Sequence, residues 1–201
     1  MVLVLLAAMM QPQPTAQIYN DRGSQAFKAG KIEDSIRDFD KAIALDPRYA
    51  PHHWQRGISL YYAGRFDDCR KQFDLHKTVN PEDVENAVWH YLCAARLKGV
   101  EDARKRLIPI RSDGRIPMME VYAMYRGEST PDKVMEAARA GNPPAGELNV
   151  RLFYAHLYIG LFLEAAGQQK EAIAHIRKAA DDYQVDHYMW DVARIHLRRA
   201  K

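Results

Sequence analysis

Residues 55–74 read Gln55-Arg56-Gly57-Ile58-Ser59-Leu60-Tyr61-Tyr62-Ala63-Gly64-Arg65-Phe66-Asp67-Asp68-Cys69-Arg70-Lys71-Gln72-Phe73-Asp74, and the pattern has already occurred once. Arg56-Gly57 repeats Arg22-Gly23, Ala63-Gly64 repeats Ala29-Gly30, Asp68 repeats Asp34, Phe73-Asp74 repeats Phe39-Asp40, and Pro81 repeats Pro47. Every offset is 34 residues. A fixed period of this kind marks a supersecondary unit that cannot bury its apolar face alone and stacks on copies of itself. In the first copy, roughly residues 16–49, Gly23 lets a second helix approach the first closely. Gly30 falls at the turn between them, where a left-handed conformation costs glycine little. The second helix runs from about Ile32 to Leu45, with Ile32, Ile36, Phe39, Ala42 and Ile43 forming its apolar stripe. Pro47 ends it, because the residue before a proline is pushed out of helical space. The second copy, about residues 50–83, uses Leu60, Gly64, Phe66, Phe73 and Pro81 in the same roles. His76 stands there in place of a small residue and reads as a partly exposed filler.

A third copy comes late. Gly160 and Gly167 lie 103 residues after Gly57 and Gly64, one more than three periods, and Ala172 and Ala179 follow as the small residues of a second helix. Two further hairpins are expected in the gap: Asn86–Lys98 with Val100–Leu107, and Ile116–Arg126 with Pro131–Ala140. Neither carries the full glycine signature. Gly141–Gly146 reads as a loop, and Asp186–Arg199 as an extra helix covering the last face. A helix-turn-helix unit of this period resembles the tetratricopeptide repeat (TPR). The expected fold is therefore all-α, a TPR helical solenoid in which antiparallel helix pairs form a right-handed superhelix with a C-terminal capping helix. Its expected parts are an apolar leader (1–16), two regular repeats (17–83), degenerate hairpins (84–147), a C-terminal repeat (148–184) and the capping helix (185–201). The layout also resembles the NlpI-type TPR lipoproteins of the bacterial envelope. The resemblance lies in Gln55–Arg65, the aromatic helix with Trp89 and Tyr91-Leu92, Val121-Tyr122 near Gly127, Phe153–Gly167, and a last helix beginning near His187. It implies an envelope scaffold that recruits other proteins and can dimerise. No cysteine closes the leader, so lipid anchoring is not implied.

Composition narrows the function classes. Lys and Arg number 29 against 26 Asp and Glu, a net charge of +3 that is too evenly spread for a nucleic-acid footprint. The apolar run Met1–Met10 is too short to span a bilayer, which takes about 20 residues, but suits the core of an export signal. That points to a periplasmic or secreted protein, with a cytoplasmic one as the alternative. Cys69 and Cys93 are the only cysteines. Both sit where a helix wants a small buried residue, and a bridge between them requires an oxidising compartment.

The chain offers no metal-binding His-Glu-x-x-His, no nucleophile elbow and no glycine-rich phosphate loop. The expectation is a non-enzyme without cofactor, metal or small-molecule substrate. His187 beside Asp186, near His175, is the nearest approach to a reactive cluster. Binding is better supplied. The inner helices of such a solenoid line a groove, and the residues placed to face it are Phe27, Lys28, Trp54, Ile58, Tyr61, Tyr62, Val88, Trp89, Leu92 and Arg96. Ile58 and Leu92 also suit packing between helices. An aromatic and apolar groove fits a protein or peptide partner, since Trp, Tyr and Arg commonly anchor interfaces. The same face offers a homodimer contact as the alternative. A carboxylate-docking groove is excluded, because the matching positions carry Asn20, Ser24, Gln55, Glu85 and Trp89, and Glu85 repels a carboxylate.

Overall fold

The computed structural model describes residues 14–200. In order these form α1 (Ala16–Lys28), α2 (Ile32–Leu45), a 3-10 turn (Pro47–His52), α3 (Trp54–Tyr62), α4 (Phe66–His76), α5 (Val84–Lys98), α6 (Val100–Lys105), α7 (Met118–Arg126), α8 (Pro131–Arg139), α9 (Ala145–Ala165), α10 (Gln169–Asp181) and α11 (Tyr188–Arg199). There is no strand among the described residues, and no helix of the described residues is long and apolar enough to cross a membrane. Each helix packs on the next in the chain, except that α7 packs on α5 rather than on α6, and the result is an all-α array of stacked helical hairpins. The apolar leader lies almost entirely outside the described residues.

The 34-residue echo has a steric basis. A Cβ on Gly23 would lie 2.7 Å from the Phe39 ring, and one on Gly57 equally close to Phe73. Gly160 makes the corresponding approach to Ile176. The glycine thus gives its partner helix room sixteen residues on. Above that contact, Arg22 Nε donates to Asp38 at 2.6 Å. In the second repeat Arg56 Nη1 donates to Gln72 at 3.0 Å instead, and its Nε reaches back to Asp40 at 2.6 Å. The turn glycines Gly30, Gly64 and Gly167 share φ near +80°, at +80°, +76° and +80°. These backbone twists are open to glycine and strained for other residues.

The middle is less regular. Helix α6 has only six residues, and residues 106–117 run without a helix until α7. Tyr122 pins that stretch by donating to Ile108 O at 3.2 Å and accepting from Ile110 N at 3.1 Å. The expected loop over Gly141–Gly146 is shorter than expected, because α9 begins at Ala145 and continues for 21 residues. His76 also differs from expectation. It is buried, with Nδ1 2.8 Å from Pro51 O, so it joins the 3-10 turn to α4 rather than facing solvent. Cys69 and Cys93 are both buried and are joined as a disulfide between α4 and α5, with Cα atoms 6.0 Å apart.

The C-terminal helix does more than cover α10. It turns back and reaches the first helices of the N-terminal repeats. Tyr188 stacks on Phe27 with ring centroids 5.1 Å apart and meets Trp54 edge-on at 5.2 Å. Asp191 pairs with Lys28 at 3.3 Å. His196 stands between Tyr62, at 3.1 Å, and Glu164 of α9, at 3.4 Å. Met189, Val192, Ala193 and Ile195 are buried in the same layer. The last helix therefore occupies much of the inner face that the sequence assigns to a partner.

Candidate functional site

That return of α11 fixes the status of the ten groove residues. Phe27, Ile58, Tyr61, Tyr62, Val88, Trp89 and Leu92 are buried, and they pack inside the molecule. Tyr61 and Tyr62 both meet the Trp89 ring, at 5.4 and 6.4 Å, and Phe27 meets Tyr62 at 5.9 Å. These aromatics form one continuous interior seam. Lys28 and Arg96 remain exposed, with Lys28 paired to Asp191 and the Arg96 guanidinium 4.7 Å over the Phe66 ring. Trp54 is partly exposed. Burial raises the Tyr61 hydroxyl to about 12 and pushes Tyr62 well above its ordinary value, so both stay protonated.

Several openings remain beside α11, and two of them are walled by residues of the predicted groove. The first is a cavity of about 200 Å³ where α3, α4 and α5 meet the start of α11. Trp54, Ile58, Phe73, Trp89 and Met189 give it apolar walls, and Asn86 and His76 complete them. Its rim is charged. Arg115 holds Asp83, Glu85 and Asp113 at 2.6 Å each, and the Tyr158 hydroxyl donates to the second Glu85 oxygen. Desolvation, helped by the Asp83 charge, raises the Glu85 carboxyl to about 7 despite the opposing pull of Arg115 and the Tyr158 hydrogen bond. His187 caps α11 by accepting from Met189 N at 3.3 Å, and its Nδ1 lies 3.2 Å from the Tyr154 hydroxyl. The second opening, about 370 Å³, lies at the other end of α11 between Tyr61, Arg96, Glu164 and Arg199.

Three of the sequence-assigned residues, Trp54, Ile58 and Trp89, line the first cavity, and Tyr61, Tyr62 and Arg96 line the second. Phe27, Lys28, Val88 and Leu92 line neither. The rim residues Asp83, Glu85 and Arg115 carried no positive signal in the sequence, because Arg115 arrives from the irregular stretch before α7. The His187–His175 cluster does not form: His175 pairs with His156, their Nδ1 atoms 2.9 Å apart, while His187 faces Tyr154. Among the described residues no group of three or more His, Cys, Asp or Glu is placed to hold a metal ion.

Fold and site together define an all-α protein of stacked helical hairpins, three of which repeat one glycine-centred close approach, and whose inner face is largely filled by its own last helix. No family model matches the chain. Among solved structures, the crystal structure of MamA protein is similar over 86% of this chain and 97% of its own, with 19% sequence identity and a TM-score of 0.43.

Proposed function

We propose that this chain is a non-catalytic protein-interaction scaffold that engages its partner at the cavity between α3, α5 and α11. The observation that carries the reading is the position of Trp54. It is the one tryptophan of the inner face left partly exposed, and it stands on the wall of an apolar cavity with a charged rim. Large aromatics in such pockets, surrounded by polar groups, dominate the energetics of protein interfaces. The remaining inner-face aromatics of the predicted groove, Phe27, Tyr61, Tyr62 and Trp89, are buried and stabilise the scaffold.

The reading extends to place. A buried Cys69–Cys93 bridge suits an oxidising compartment, in keeping with the apolar leader and the NlpI-like layout. An exported, envelope-type scaffold is the function we assign. The test places a photo-crosslinking residue at Trp54 and captures partners from native extract. A parallel capture compares the wild type with Trp54→Ala. Partners are expected to crosslink at position 54 and to be lost from the alanine variant. Equal recovery by both proteins would refute the assignment.

A further inference from the structure

The irregular stretch between α6 and α7 brings Arg115 to the rim of the α3–α5–α11 cavity, and it is tied down in two different ways. At its ends the attachment is apolar. Ile108 and Ile110 are buried and bonded through their backbone to the Tyr122 hydroxyl, and Met118 is buried at the start of α7. Between these posts none of residues 111–116 belongs to the apolar core, and all but Asp113 are exposed. Apart from the local turn in which Met118 N donates to Arg115 O, their hydrogen bonds and ion pairs to the other described residues all fall on one short run, residues 82–85. Glu82 takes Arg111 Nε at 2.8 Å and the backbone N–H groups of Arg111 and Ser112 at 2.7 and 3.4 Å. Arg115 takes Asp83 and Glu85 at 2.6 Å each, and Asp113 accepts from Val84 N at 3.2 Å.

The two kinds of attachment differ in strength and in what loosens them. The Arg111 and Arg115 side chains are 87% and 46% exposed, so salt reaches their ion pairs. Such pairs contribute little and are screened as the Debye length falls from about 10 Å at 0.1 M salt to about 3 Å at 1 M. Burial of the posts is not weakened in this way. Segments with few buried apolar contacts and solvent-exposed hydrogen bonds are also the first parts of a fold to open. Residues 111–116 have both properties, and they can bow outward while Ile110 and Met118 stay seated. Arg115 then leaves the rim, and Trp54 on the wall of the same cavity gains access to solvent. We propose that residues 111–116 form an ionic strap at the mouth of this cavity, whose release uncovers the wall at Trp54. In the closed state the strap narrows the entry that a partner residue would use.

This inference rests on the scaffold reading but can fail separately from it. The full chain is labelled with 5-fluorotryptophan, so that its three tryptophans report separately by ¹⁹F NMR. A neutral, soluble gadolinium chelate then measures how far each is open to solvent. From about 0.1 M to about 1 M NaCl the paramagnetic relaxation of Trp54 is expected to rise by about twofold or more, with Trp190 unchanged. The Val84 amide, whose acceptor Asp113 belongs to the strap, is expected to exchange its hydrogen faster over the same range. Arg111→Glu sets a carboxylate against Glu82 and is expected to give the open response already at about 0.1 M salt. Arg111→Lys keeps the cation and is expected to behave as the wild type. Because the posts are untouched, neither variant should lower the Tm appreciably. A Trp54 relaxation that ignores both salt and Arg111→Glu, or a rise shared equally by Trp190, would overturn the strap. So would a lower Tm in Arg111→Glu with Trp54 unchanged, which would make residues 111–116 a fixed clamp. If position 54 crosslinks a partner while its relaxation stays constant, the scaffold stands and the strap falls. If the relaxation responds and nothing crosslinks, the reverse holds.

Discussion

Glu85 illustrates how the interior of this solenoid acts on one side chain. Its carboxyl is desolvated beside Trp89 and Tyr158 and sits near 7 instead of 4.5. Such a group binds its proton more tightly in the folded chain than in the unfolded one. Stability therefore falls as pH rises through that window. The penalty is absent below about 4.5, and above about 7 it approaches the roughly 3 kcal/mol that a shift of this size represents. Glu85→Gln keeps an acceptor for the Tyr158 hydroxyl and leaves Arg115 paired with Asp83 and Asp113. Urea unfolding at pH 5 and pH 8 should show the variant gaining on the wild type by about 2–3 kcal/mol between the two conditions. Parallel pH profiles would show that the carboxyl is not held near neutrality. The contrast with Gly57 explains what the sequence could reveal at this scale. The demand on Gly57 comes from Phe73, sixteen residues on in the same repeat, so spacing exposes it. Glu85 is set by Arg115 and Tyr158, 30 and 73 residues away, and no local pattern records that.

Among the elements, the pairs whose packing is stated by a glycine and an aromatic or branched residue were legible, and the others were legible only as helices. The pairs α1–α2, α3–α4 and α9–α10 each carry that close approach. The middle hairpins do not: α5 and α6 are held instead by a nearly all-round buried α5, whose lack of a polar face blurs its periodicity. The α4–α5 joint crosses from a regular repeat into this region, and the Cys69–Cys93 bridge holds it. The bridge closes a loop of 24 residues, for which chain entropy gives about 3 kcal/mol of stabilisation. Reduction, or Cys93→Ala paired with Cys69→Ala, is expected to lower Tm by roughly 6–12 °C in a domain of this size. Differential scanning calorimetry with and without a thiol reductant measures it. A wild-type Tm that does not respond to reductant under conditions that free both thiols would remove the bridge from the account of stability.

At the scale of the molecule, the return of α11 decides how the chain unfolds. Open solenoids are quasi-one-dimensional: each repeat touches only its neighbours, and a defect at one end stays local. Here the last helix joins the first, since α11 packs on α10 and also on α1, through Tyr188 on Phe27, Asp191 on Lys28 and Ile195 beside Gly30. The sequence marked α11 as a helix and a cap but not as a closure, because the contacts that close it span more than 150 residues and repeat nothing. Closure makes a testable difference. Ile195 is buried at the α11–α1 junction, and Ile195→Ala is expected to cost about 2–5 kcal/mol. In an open array that loss would speed hydrogen exchange in α10 and α11 and leave α1 and α2 protected. In the closed molecule the amides of α1 and α2 lose protection together with those of α10, since opening either end opens the same junction. Exchange measured helix by helix separates the two cases, and acceleration confined to α10 and α11 would mean that α11 is a cap and nothing more.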